Sequence, residues 1–163
     1  MALADFCRIL WRERELLELL LFKLEEEQLV LSSGRARWLA HATREVEAVL
    51  EQIRDSERVR TLETDVVAME LGLGPGPSLI AISRTAPEPY AGMLLSHREA
   101  FLTLTGEITE LAQANRQLLH AGMVSLSEAL AGVEDTVPVQ AYGPGAQRAV
   151  PRQSAGRLVD EAL

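Results

Sequence analysis

Residues 2–34 read ALADFCRILWRERELLELLLFKLEEEQLVLSSG, and this stretch decides the fold. Leu3, Leu10, Leu17, Leu24 and Leu31 recur at every seventh position, and Phe6, Ile9, Leu16 and Leu20 widen the row into a stripe. Apolar residues so spaced share one face of an α-helix, and Glu13, Glu18, Glu25 and Glu26 are expected on its other faces. The reading is one long amphipathic helix over residues 3–32. Ser32-Ser33-Gly34 ends it, because Gly34 can take the left-handed conformation that a helix C-terminus often needs.

Working outward, a second helix is expected over residues 35–72. Leu39, Ala42, Val46, Val49 and Ile53 form one apolar row, and Val59, Leu62, Val66, Met69 and Leu73 form another, with a change of phase near Ser56. A helix of roughly 35 residues is about 50 Å long, a length suited to a hairpin or coiled coil. The run Gly72 to Pro77 (GLGPGP) breaks it, since proline lacks a backbone donor and glycine loses the most entropy on ordering. Ser78 to Ser83 (SLIAIS) is a short apolar patch, either a turn of helix or an extended stretch pinned to the hairpin. A third long helix is expected over 89–132, with Pro89 as a first-turn residue or Ser96-x-x-Glu99 as a later capping-box start. Leu94, Phe101, Ile108, Leu111, Leu118, Leu119, Met123, Leu126 and Leu130 supply its stripe, with an interruption expected at Gly122 and a restart at Ser125-x-x-Glu128.

The fold class is therefore all-α: an elongated antiparallel helical hairpin plus a third long helix, a coiled-coil-like three-helix bundle over residues 1–133. Leucine, with 27 residues against five isoleucines, favours helix over strand. Residues 73–88 hold the Gly/Pro loop and the short apolar segment. Residues 134–163 carry Pro138, Gly143-Pro144-Gly145, Pro151 and Gly156 and too little apolar surface to offset ordering, so they are expected to form a flexible C-terminal tail.

Composition narrows the function. With 24 acidic residues against 16 basic, the formal charge is −8, which argues against nucleic acid as a partner. Cys7 is the only cysteine, so no disulfide framework forms. The most apolar N-terminal run, Leu16 to Leu24, contains Glu18 and Lys23, so neither membrane insertion nor a secretory signal is expected, and the location implied is cytoplasmic. A carboxylate-bridged metal site on helices would need Glu three residues before His41, His97 or His120; those positions hold Trp38, Leu94 and Gln117. GLGPGP follows no strand, and its prolines remove the donors a phosphate loop uses. His97 is followed by Arg98, Glu99, Ala100 and Phe101, not by the Lys and Gly that accompany a phosphotransfer histidine. The three histidines are read as helix-surface or boundary residues, Cys7 as a small apolar residue, and no catalytic group, metal or cofactor is expected.

What remains is surface for proteins. Asn115 lies on the seam that carries Ile108 and Leu118, where a polar residue either fixes register and partner choice or sits at the boundary facing water. Trp11 and Trp38 are either core anchors or exposed contacts.

Two Leu- and Glu-rich helices, a Gly/Pro break, and a third helix carrying Leu111-Ala-Gln-Ala-Asn115-Arg116-Gln117-Leu118-Leu119 are followed by Ala141-Tyr-Gly-Pro-Gly145. In that order and spacing, from about Phe6 to Gly145, the chain resembles the FlgN family of flagellar type III export chaperones. Its most specific marks are the Asn-Arg-x-Leu-Leu run and the Tyr-Gly-Pro-Gly turn. Family members usually carry a second Asn where Leu118 stands here. The resemblance implies a non-enzymatic chaperone that binds terminal helices of hook-associated (hook–filament junction) proteins and delivers them to the flagellar export apparatus. On that footing Phe101, Ile108, Leu111, Asn115, Leu118, Leu119 and Met123 divide between the core and a client groove, and Tyr142 suits docking to the export machinery. The competing expectation is a coiled-coil scaffold or homodimer whose stripes are satisfied by self-association.

Overall fold

A computed structural model describes residues 2–136. It contains four α-helices in the order α1 (Ala2–Ser32), α2 (Leu39–Leu71), α3 (Leu79–Thr85) and α4 (Tyr90–Thr136), with a 3₁₀ turn at Ala36–Trp38 before α2. No strand occurs among the described residues. The expected tail, including Tyr142, lies outside them. The compact unit in which these helices pack extends to Ser127.

Side-chain pairs fix the direction of each helix. Glu27 accepts a hydrogen bond from Thr43, Lys23 reaches Glu45, and Glu13 meets Arg60. Positions falling on α1 therefore match positions rising on α2, the signature of an antiparallel hairpin. In contrast, Trp11 lies against His97 and Leu24 against Asn115, so α4 runs parallel to α1.

The helix ends follow from local chemistry. Gly34 and Gly72 both stand at positive φ. At Gly72, Leu73 N donates to Ala68 O at 2.8 Å and Gly72 N to Met69 O at 3.3 Å, which closes α2 with a Schellman motif. The apolar patch at 78–83 resolves as helix. Ser78 caps α3, its Oγ accepting from Ala81 N at 3.2 Å. A cis Glu88–Pro89 bond precedes α4, which starts at Tyr90, ahead of the alternative capping box at Ser96. Gly122 does not interrupt α4, because one glycine costs a helix only about 1 kcal/mol relative to alanine.

Two apolar cores form. The first joins Leu3, Phe6 and Leu10 of α1 to Val67 of α2, Ile82 of α3 and Leu94 of α4. The second joins Leu16, Leu17, Leu20 and Leu24 to Val46, Val49 and Ile53, with Leu104, Ile108 and Leu111 of α4 packed on them. Each fully buried Leu or Phe contributes roughly 1.5–3 kcal/mol. Phe101 touches both cores.

Three expectations need correction. Glu13 does not lie on an outer face of α1: it is buried, because it stands three residues after Leu10 and four before Leu17, on the stripe itself. His97 is buried as well, on the α4 row between Leu94 and Phe101, rather than at the surface. On α2, Val59, Leu62, Val66 and Met69 are exposed, while Val67 and Ala68 face the core. Beyond the phase change near Ser56, the face with the most apolar residues is not the face turned inward.

Candidate functional site

The hairpin tip brings the C-terminal half of α1, the start of α2 and the middle of α4 together. Leu31 and Leu39 flank the tip, and small residues, Gly34 and Ala36, make the turn between them. Two clefts open here. One, of about 270 Å³, lies between α2 and α4, with Leu24, Val46, Leu50, Ala112 and Asn115 in its lining. The other, of about 290 Å³, continues toward the tip past Val30, Leu118, Gly122, Met123 and Leu126. Leu31, Leu39 and Leu119 belong to both, so the two form one continuous groove. No heavy atom lies within 4 Å of where a Cβ on Gly122 would stand, so this stretch of α4 presents open space.

The structure divides the sequence-derived residues between two environments. Phe101, Ile108 and Leu111 are half-buried and pack on the cores. Leu118 is 39 % exposed, Leu119 43 % and Met123 64 %, and all three line the groove. Asn115 stands where the two environments meet and is only 5 % exposed. Of the two readings left open for it, the water-facing one is thereby removed. Its Nδ2 donates to Leu24 O at 2.9 Å and to Glu27 Oε2 at 3.2 Å. Trp11 and Trp38 are each about half exposed; Trp11 meets the edge of His97, and Trp38 carries the Arg37 guanidinium over its ring.

Sequence reasoning missed the contributions of the hairpin: Val30, Leu31 and Leu39 supply the opposite wall of the groove. The signal was present in the heptad position of Leu31, the last of its row, which has no further turn of α1 beyond it to cover it.

A charged cluster ties α1 to α2. Lys23 Nζ donates to Glu26 and Glu45, each at 2.7 Å, and these two carboxylates push its pKa up while Lys23 holds the Glu45 carboxyl below its ordinary range. Farther down, burial pushes the Glu13 carboxyl up, partly countered by Arg60 at 2.8 Å. That contact is an ion pair whose direction lies off the line of a hydrogen bond, since neither Glu13 Oε2 nor Arg60 Nε has a hydrogen-bond partner. Burial, and then the Arg14 guanidinium, hold His97 below the ordinary imidazole range. Burial also raises the Cys7 thiol. Among the described residues no group of three His, Cys, Asp or Glu could hold a metal, and no helix is long and apolar enough to cross a membrane.

The trough is walled by α1, α2 and α4 and is mostly apolar, with Glu27, Thr43, Asn115 and Arg116 as its polar members. The sequence pattern of a family described as FlgN protein matches residues 1–149. No curated protein and no solved structure matches the chain.

Proposed function

Since the chain belongs to the FlgN family of flagellar export chaperones, we propose that it binds the terminal helical segments of flagellar hook-associated proteins. Bound there, a segment is kept from premature association and is delivered to the flagellar type III export gate. The work is done in the cytoplasm and involves no catalysis. The observation that supports this reading is the groove at the hairpin tip, where Leu118, Leu119 and Met123 remain exposed against Val30, Leu31 and Leu39. An amphipathic helix laid between α2 and α4 would cover those residues, and apolar burial would drive the association. Tyr142, outside the described residues, is assigned on the family's pattern to contact with the export machinery.

Calorimetric titration with the terminal segments of the organism's own hook-associated proteins tests the proposal. The expected result is stoichiometric, submicromolar binding with a negative heat-capacity change. Met123→Asp should abolish the heat while leaving the helical circular dichroism intact, because Met123 is exposed and its replacement creates no buried charge. A folded protein that takes up none of these segments would refute the reading. The second reading, a non-catalytic scaffold or homodimer, draws on the exposed row Val59, Leu62, Val66 and Met69 of α2. It requires a solution mass of twice the chain that falls to the monomer value on Leu62→Asp.

A further inference from the structure

The groove end of the molecule differs in charge from the rest of it. Residues 28–44, which form the turn between α1 and α2 with the adjoining helix ends, contain no Asp or Glu, and neither do residues 111–127 of α4. Together the two stretches hold Arg35, Arg37, Arg44 and Arg116, a formal charge of +4. The remainder of the chain, with 24 acidic residues against 12 basic, carries −12. An acidic protein thus places a basic end where its apolar groove opens.

Three of the four arginines border the groove. Arg116 lines the cleft that holds Leu24, Val46 and Leu50. Arg35 and Arg37 line a shallow recess whose other residues, Gly34 and Ala36, also line the tip cleft. Arg44 belongs to none of these linings. All three bordering residues are exposed, and none has a carboxylate partner among the described residues. Arg37 is held over the Trp38 ring, 5.0 Å from its centroid. The anions beside the groove are engaged within the chain instead. Glu27, the one carboxylate in the lining of the two clefts, accepts from Thr43 Oγ1 at 2.8 Å and from Asn115 Nδ2 at 3.2 Å. Glu45, next to Val46 of the lining, accepts from Lys23 at 2.7 Å and has His41 Nε2 at 3.2 Å. The cations are left for a ligand, and the anions are not.

We propose that the groove takes an amphipathic helix whose apolar face is flanked by Asp or Glu, with those carboxylates paired to Arg35, Arg37 and Arg116. The apolar lining buries the face of that helix, and the arginines read the charge along its edges. Guanidinium suits the role, because it stays charged and can grip a carboxylate through two parallel N–H donors. Charges at the rim of an interface decide which partner is admitted, and how fast, more than they decide total affinity. A basic amphipathic helix would meet three like charges and is excluded, although the net charge of −8 taken alone would attract it. The available length fits a helix, since Leu39 and Leu50, both in the lining, are about 16 Å apart along α2, or three turns. This inference rests on the groove being a helix-binding site.

Three designed helical peptides about 16 residues long serve as probes. They share one Leu face and capped ends, and they differ only in carrying Glu, Gln or Lys along its edges. Each is titrated into the full chain, into Arg35→Gln/Arg37→Gln/Arg116→Gln, and into Arg8→Gln/Arg54→Gln/Arg58→Gln. The last variant removes the same net charge away from the groove. Every substituted residue is exposed, and circular dichroism checks the fold, with Arg35→Gln/Arg37→Gln as the second variant should the groove triple disturb it. The Glu peptide is expected to bind the natural chain about tenfold tighter than the Gln peptide, three exposed ion pairs being modest singly, and the Lys peptide weakest of the three. The advantage of Glu should shrink between about 0.05 M and about 0.5 M salt. It should vanish in the groove triple, with the Gln peptide bound as before, and persist in the distant triple. Equal binding of the three peptides to the natural chain, or preference for Lys, would overturn the inference and leave the groove reading standing. Preference for Glu that survives the groove triple would overturn the assignment to these arginines. Failure of the folded natural chain to take up any of the peptides would remove the groove reading, and this inference with it.

Discussion

Replacing Arg60 with Met strands the Glu13 carboxylate between two apolar cores. Glu13 is 6 % exposed, and Arg60 Nε at 2.8 Å is the cation that opposes the effect of its burial. Breaking a fully buried pair from one side costs about 3–5 kcal/mol. The Arg60 side chain is 35 % exposed and its contact lies off hydrogen-bond direction, so the native pair is weaker than that limit. An expected loss of about 2–3 kcal/mol follows, or roughly 8–12 °C in melting temperature for a fold of this size. The sign with pH is diagnostic. Glu13 has a folded pKa above its unfolded one, so its charge destabilises the fold above the folded pKa, and that penalty disappears as pH falls through it. Arg60→Met raises the folded value further, and its deficit against the natural chain should shrink on acidification from neutrality toward about pH 5. Glu13→Leu combined with Arg60→Met should return stability to the natural level or above it, since two apolar groups need no solvation. Urea denaturation followed by circular dichroism measures all three. A loss below about 0.5 kcal/mol in the single variant, or a double variant as unstable as the single, would refute the claim that this pair is a desolvated ion pair.

Two further outcomes follow from the same kind of accounting. His97 has a folded pKa below its unfolded value of about 6.5, so its contribution is intact above that pH and is lost as pH falls below it; His97→Phe should remove a measurable part of the acid-induced fall in the urea midpoint, and an unchanged fall would show that His97 is not charged more readily on unfolding. Gly72 sits at φ 68° with open space around its missing Cβ, so Gly72→Ala should cost about 1 kcal/mol through backbone conformation alone, whereas Gly74→Ala, at a position without positive φ, should be close to neutral by thermal melting.

The helical hairpin and the third helix were legible because leucine spacing at three and four residues admits only one regular structure. The same spacing says which residues are apolar but not what they touch. On α2 the row Val59, Leu62, Val66 and Met69 reads like a core face, yet Val67 and Ala68 turn inward, because α1 and α3 set the angle from which α2 is covered. Glu13 and His97 were legible in position and misread in type: each lies at a stripe spacing, and a titratable side chain there can be buried when Arg60 or Trp11 covers it. The groove itself was only half readable. Its α4 wall follows from the run Asn115 to Met123, whereas its hairpin wall depends on how far α1 extends past Leu24 before the chain turns, which is a matter of packing geometry.

The two ends of the compact unit differ in one element, and that difference explains why the groove lies where it does. At one end α3 rests on the space between α2 and α4, with Ile82 fully buried against Val67 and Leu94. It is a single short helix, capped by Ser78 and delivered by the Gly/Pro loop, and it completes a four-helix arrangement locally. At the tip α1, α2 and α4 meet with no counterpart of α3 among the described residues, and the corresponding space is the groove. Three long amphipathic helices leave part of their apolar stripes uncovered at the tip, where Leu118, Leu119 and Met123 stay exposed. Among the described residues the chain supplies a fourth segment at the α3 end and none at the tip.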